Sequence, residues 1–203
     1  MTSESLRYFG LNCTLKPSPA VSSTEVLLAH IIERLKKAGG TGSAERVVDR
    51  EIRFGVTSDE GRGDEWPDLR RKILDAEIFV MATPIWMGHP ASVSQMVLER
   101  LDAFLGETDE AGRMISYDRV AIVGVVGNED GAHHAGAELF QGLNDVGFTL
   151  AAGAMTYWVG EAMHKTDFKD VTPTPEKTLS AADTMVSNAI HLAGLLRERR
   201  YPG

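Results

Sequence analysis

Residues 78–92 read IFVMATPIWMGHPAS, and the reading of this stretch decides the fold. Residues 78–82 are a short, unbroken apolar run between Glu77 and the turn pair Thr83-Pro84. That is the pattern of a strand covered on both faces, as in the middle of a parallel sheet. Pro84 cannot donate to a ladder, so the strand is expected to end there. Ile85, Trp86, Met87, Gly88, His89 and Pro90 follow as a loop, and an apolar-periodic helix begins near Ala91. Open α/β sheets hold their ligands at the carboxyl ends of strands. A loop exposing Ile, Trp and Met together suits a flat apolar ligand, and Gly88 lets the backbone approach it closely. The alternative is a core loop in which Trp86 packs inward.

Outward from this stretch the chain alternates strands and helices. Residues 6–12 (LRYFGLN) read as the first strand, and 13–23 (CTLKPSPAVSS) as a turn-rich loop. A helix starts at about Thr24. Ser22-Ser23-Thr24-Glu25 fits a capping box, with a serine hydroxyl on a free N–H and the glutamate reaching back. Leu27, Ile31, Leu35 and Ala38 form its buried stripe. Lys36-Lys37 and Gly39-Gly40 end it. Residues 45–52 are expected to hold a second strand around Val47-Val48. Residues 54–67 read as a charged, Gly-rich surface loop, and 69–76 as a helix.

Beyond the central loop, Val93, Met96, Val97, Leu101, Phe104 and Leu105 recur at helical spacing. Residues 119–126 (RVAIVGVV) are the next buried strand, and 127–132 (GNEDGA) a polar loop at its end. Leu139, Leu143 and Val146 mark a helix closed by Gly147. Residues 148–152 read as a fifth strand, and 153–172 lack clear periodicity. Thr174-Pro175 suit the N-cap and first position of a last helix, with Met185, Ala189, Leu192 and Leu196 on its apolar face.

This alternation predicts right-handed crossovers and a mostly parallel sheet. Five strands fit the order 2-1-3-4-5 of a doubly wound three-layer sandwich, in one domain over residues 1–203. In that order strands one, three and four end side by side. Loops 13–24, 83–92 and 127–132 then meet at one edge.

The first loop offers hydroxyls before a helix N-terminus, where free N–H groups and the dipole favour a phosphate, and Lys16 adds charge. The ordinary alternative is a capped helix after a polar turn. The loop lacks both GxGxxG and GxxxxGK[ST]. In the third loop, Asn128 and the backbone offer polar groups, or simply cap a helix. Three such loops at one edge describe a mononucleotide site.

Other chemistries lack their patterns. His133 and His134 are adjacent, so on a helix they diverge by about 100°. His89, His133, His164 and the carboxylates lack the HExxH or short His–carboxylate spacing that suggests zinc. No GxSxG elbow supports a hydrolase triad. His89 is a proton donor beside a ring or a solvated loop histidine. The net charge of −8 argues against nucleic acid. The single cysteine, Cys13, excludes an intramolecular disulfide and a cysteine-ligated cluster within one chain. No apolar run reaches the length of a membrane span. The N-terminus lacks a basic segment followed by an apolar one, so the expected compartment is the cytoplasm.

The order strand, CTLKPSPAVSST, helix, then ATPIWMGHPASVSQMVLERLD, then GVVGNEDGAHHAGAELFQGLNDVGF resembles the flavodoxin-like NAD(P)H-dependent FMN reductases. Their relatives include flavodoxin-like quinone reductases and iron–sulfur flavoproteins, and the lone cysteine departs from the cluster-bearing branch. The resemblance implies FMN, with its phosphate on Thr14, Lys16, Ser22, Ser23 and Thr24. It places the ring against the segment of Thr83, Pro84, Ile85, Trp86, Met87 and Gly88, with Gly127, Asn128, Glu129 and Gly131 as another wall. It implies NADH or NADPH as hydride donor and a small acceptor: a quinone, a nitro or azo compound, or free flavin. It demands no catalytic acid or base. It implies a homodimer or homotetramer with flavin sites near subunit contacts, and Tyr157-Trp158 is the segment expected there. A flavodoxin-type electron carrier and a flavin-storing or flavin-sensing protein are the alternatives.

Overall fold

The computed structural model describes residues 5–162 and 164–202. Its elements are β1 (Arg7–Asn12), α1 (Ser23–Lys37), β2 (Thr41–Arg46), α2 (Trp66–Asp75), β3 (Ile78–Trp86), β4 (His89–Pro90), α3 (Ser92–Leu101), β5 (Val120–Gly127), α4 (Ala132–Asp145), β6 (Thr149–Val159) and α5 (Glu176–Glu198). The long strands run β2-β1-β3-β5-β6, all pairs parallel, and β4 is added antiparallel to β3. With β4 set aside this is the expected 2-1-3-4-5 order, a flavodoxin-like three-layer fold.

Period-two alternation splits the central strands between two cores. Phe9, Leu11, Phe79, Met81, Val123 and Val125 face one side, with Leu69, Val97 and Leu139 from α2, α3 and α4. Tyr8, Ile78, Val80, Ile122 and Val126 face the other, with Leu27 and Ile31 from α1 and Met185 and Ala189 from α5. Both faces of β3 and β5 are covered, which is why these strands read as continuous apolar runs.

The expected second strand is displaced. β2 is the polar segment TGSAER, and Val47-Val48 lie in a 3₁₀ turn after it. An edge strand needs little apolar surface, so its sequence carries no strand signal. A Cβ at Gly42 would stand 1.9 Å from the carbonyl oxygen of Tyr8, so only glycine fits this pairing.

Pro84 does not end β3, which continues to Trp86. β1 pairs with β3 only as far as Ala82, whose carbonyl accepts from Cys13 N–H at 2.8 Å. Peptide groups alternate sides along a strand. Pro84 therefore turns its missing donor to the side where β1 has ended and keeps its register with Val126 on β5. The chain then doubles back through β4, an element with no period to read in two residues.

The fifth strand is longer than residues 148–152. Its register with β5 slips between Ala121 and Val123, and Gly153 has a φ of +67° at the irregularity. This bulge breaks the alternation and hides residues 154–159 as strand. Residues 66–67 belong to α2 rather than to the preceding loop, and Trp66 is wholly buried. The last helix starts at Glu176 with Pro175 at its N-cap, while the Thr174 hydroxyl lies 3.3 Å from His30 Nε2.

Candidate functional site

α1 begins where β1 ends, and its N-terminus points into the carboxyl edge of the sheet. Ser22 is the N-cap; its hydroxyl accepts from Glu25 N–H at 3.1 Å. Glu25 does not complete the expected capping box, because its carboxylate pairs with Arg46 at 2.8 Å. The first N–H groups of a helix have no intrahelical acceptor, so those of Ser23 and Thr24 are available to an anion. Thr14, Ser22 and Thr24 are buried, and Ser23 is half-buried.

The loop before α1 is shaped by side chains from elsewhere. Arg46, buried at the end of β2, donates to the carbonyls of Lys16 and Ala20, each at 2.9 Å. Thr14 N–H donates to Asn12 Oδ1 at 3.1 Å, and Lys16 N–H to the Thr14 hydroxyl at 3.3 Å. Asp49 accepts from the hydroxyl and the N–H of Ser18, and these bonds hold its carboxyl below the usual range.

Opposite the helix end stands the apolar end of β3. Ile85 is buried, and Trp86 is 54% exposed. Gly127 closes against Ile85, since a Cβ there would stand 2.9 Å from the Ile85 Cβ. Between these walls runs one groove, and eleven of the fifteen expected residues line it: Thr14, Lys16, Ser22, Ser23, Thr24, Pro84, Ile85, Trp86, Gly127, Asn128 and Glu129.

Thr83, Met87, Gly88 and Gly131 do not line it. Thr83 is wholly buried and accepts from Ala91 N–H at 3.1 Å, while Ser94 Oγ lies 2.7 Å from its hydroxyl; it fixes the start of α3. Met87 sits at the hairpin tip, 85% exposed with φ +54°, and its N–H donates to Glu129 Oε1 at 2.9 Å. Gly88 has φ +81°, and among the described residues no heavy atom outside its neighbours comes within 4 Å of a Cβ built on it. Its glycine answers to the turn's backbone, not to contact in the groove. Gly131 meets the hairpin instead: a Cβ there would lie 2.6 Å from Gly88 Cα.

Four further residues line the groove: Leu15, Val126, Asp167 and Phe168. Asn128 Nδ2 donates to Asp167 Oδ1 at 3.2 Å, and Lys169 N–H to Ser23 Oγ at 3.3 Å. Phe168 is buried against the ring of Trp158 at 5.4 Å between centroids. Asp167 and Phe168 lie in the aperiodic stretch, where only the tertiary contact distinguishes them. Trp158 thus packs within its own chain, while Tyr157 is 38% exposed and meets His133 edge-on at 5.0 Å.

A hydroxyl-lined helix N-terminus thus faces an apolar strand end at the switch region of a flavodoxin-like sheet, with free N–H groups at one end of the groove and apolar side chains at the other. The chain belongs to the NADPH-dependent FMN reductase family, whose sequence model matches residues 7–164. It is 31% identical over 201 residues to the 8-demethyl-8-aminoriboflavin-5'-phosphate synthase of Streptomyces davaonensis, covering 94% of this chain and 78% of that protein. It superposes at a TM-score of 0.90 on a crystal structure of RosB with bound 8-demethyl-8-formylriboflavin-5'-phosphate, 31% identical over 97% of this chain and 82% of that one. It is also 34% identical over 201 residues to a Mycobacterium bovis protein named divalent metal cation transporter MntH. That match covers 96% of this chain, which spans 29% of that protein's length. Among the described residues no helix is long and apolar enough to cross a membrane.

Proposed function

We propose that the groove binds FMN and that the protein is an oxidoreductase passing hydride from NADH or NADPH through it to a small acceptor. The observation that carries this is the groove itself, with the α1 N-terminus at one end and Pro84, Ile85 and Trp86 at the other. The residues fit the group. Thr14, Ser22, Ser23 and Thr24 offer hydroxyls, and the helix end offers N–H groups, to a phosphate. Trp86 and Ile85 offer an apolar face to a flat ring, and Asn128 offers an amide at its polar edge. FMN, when bound, carries hydride and electrons between nicotinamide and acceptor. The chain's part is to hold the phosphate, to keep water from the ring with Ile85 and Trp86, and to present one open face. The acceptor would be a quinone, a nitro or azo compound, or free flavin.

Family membership and the hydroxyl-lined helix end support this reading. Two measurements test it. The purified protein carries oxidised-flavin absorbance that acid releases as FMN, and it oxidises NADH or NADPH at steady state with a quinone. A flavin-loaded protein that does not turn over either nucleotide is a carrier or a storage protein, and the enzyme reading falls.

A second reading is favoured by the likeness to a protein holding a modified flavin phosphate. In it, the flavin phosphate in the groove is the substrate. Mass spectrometry of the flavin after aerobic incubation separates the two: unchanged FMN supports the cofactor role, and a product altered on the ring supports the substrate role. A homodimer or homotetramer is part of the proposal, with half-exposed Tyr157 at the contact.

A further inference from the structure

His89 on β4 and the pair His134 and Glu138 on α4 converge outside the groove, on the far side of the hairpin tip. Sequence spacing shows only two of the three. His134 and Glu138 are four apart, so on a helix they share a face. His89 joins them only because β4 folds back on β3 and packs on α4. His89 Nδ1 lies 2.7 Å, and His134 Nδ1 2.9 Å, from the same oxygen, Glu138 Oε1. The imidazoles stand edge-on with centroids 4.7 Å apart. One ligand atom from each of the three residues lies within 4.8 Å of the others.

We infer that His89, His134 and Glu138 form a binding site for a divalent cation of the zinc class, a site that ties the hairpin tip to α4. Two imidazoles and one carboxylate are a borderline donor set that suits zinc, cobalt or nickel over calcium or magnesium. Bonds of about 2.0–2.1 Å to a tetrahedral ion set neighbouring donors about 3.3 Å apart. The two nitrogen–oxygen distances need open by only about half an ångström to reach that. The side chains are free to do so, being 59%, 59% and 36% exposed. Three protein ligands leave one position for water, as in open zinc sites. The backbone beside them is already close-packed: a Cβ at Gly131 would stand 2.7 Å from the Gly88 carbonyl oxygen, and His134 Nδ1 gives up its 3.1 Å contact with that oxygen when it ligates. On the flavin reading above, a bound cation would steady the wall made by Ile85 and Trp86. The cation site itself does not depend on that reading.

The test uses the full chain after chelator treatment, titrated with Co²⁺ and then with competing Zn²⁺. The expected result is one Co²⁺ per chain at micromolar concentration, with the visible absorption of a low-symmetry four-coordinate site. Affinity falls in H89A, H134A and E138Q by at least the roughly 10–100-fold that loss of an outer partner costs. It is unchanged in H133A, whose ring turns toward Tyr157. Hydrogen exchange at residues 86–90 slows on Zn²⁺ addition in the wild type and not in H134A. No saturable binding by the folded wild type overturns the inference. So does binding that survives all three variants, or cation binding that leaves exchange in the hairpin unchanged.

Discussion

Arg46 donates a 2.9 Å hydrogen bond to the carbonyl oxygen of Lys16, joining the end of β2 to the middle of the loop before α1. The same nitrogen reaches the Ala20 carbonyl at 2.9 Å, and another pairs with Glu25 at 2.8 Å. One buried guanidinium thus sets the path of the loop and the entry of the helix. Arg46→Met keeps the stem and removes the donors. FMN affinity is expected to fall by roughly 10–100-fold, about 1.4–2.8 kcal/mol. Calorimetric titration of apo-protein measures it, and wild-type affinity in a folded variant removes Arg46 from the loop's support.

The hydroxyls at the start of α1 act on the phosphate rather than on the ring. Replacing Ser22, Ser23 and Thr24 together with Ala should weaken FMN far more than riboflavin. Each lost bond to a charged group costs roughly 1.5–3 kcal/mol. Ser22 also caps the helix, at about 1 kcal/mol of stability, so melting is followed in parallel. Equal losses for both flavins would leave these residues as a cap only.

Gly131 and Gly88 separate two reasons for glycine. Gly131→Ala forces its Cβ into the Gly88 backbone, at 2.6 and 2.7 Å, and must push the hairpin away. Gly88→Ala meets open space and bears only the left-handed backbone, about 1–2 kcal/mol. FMN binding should weaken in the first and stay near wild type in the second. The reverse order, read by quenching of flavin fluorescence, refutes the placement of the hairpin.

Asp64 and Arg100 anchor the loop of residues 50–65 from inside. Their side chains are 2.8 Å apart, and neither is reached by solvent. Burial pushes the Asp64 carboxyl up, but N–H groups of Glu60, Arg53 and Trp66 together with Arg100 outweigh it and hold the group low. A carboxyl lowered on folding adds stability above its unfolded value of about 3.9, lost as pH falls through the folded value. Urea midpoints should therefore drop more steeply in acid for the wild type than for Asp64→Asn. Arg100→Met strands a buried charge and should cost about 3–5 kcal/mol near neutral pH.

Cys13 is predicted to be inert while the chain is folded. Burial pushes its thiol up to about 12, against a smaller opposing effect of its hydrogen bond with Ser94. The thiolate is the reactive form. A disulfide reagent at mildly alkaline pH should label it only after denaturant is added, and prompt labelling of the native protein would contradict its position under the sheet edge.

Local sequence determined the architecture, because parallel strands buried on both faces must be apolar throughout and helices must repeat every 3.6 residues. Residues 78–82 and 119–126, the Ser22 cap and the glycines closing α1 and α4 were legible on that ground. So were the three loops at one edge, once the alternating strands and helices were fitted to the 2-1-3-4-5 order. Other features depend on partners distant in the chain. The polar edge strand β2, the continuation through Pro84 and the bulge in β6 are each permitted by a neighbour rather than demanded by a pattern. The role of Arg46, the approach of Asp167 and Phe168, and the meeting of His89 with His134 and Glu138 arise from contacts between segments far apart in sequence. Periodicity reports only which face of an element is covered; which side chains then meet is set when the layers close.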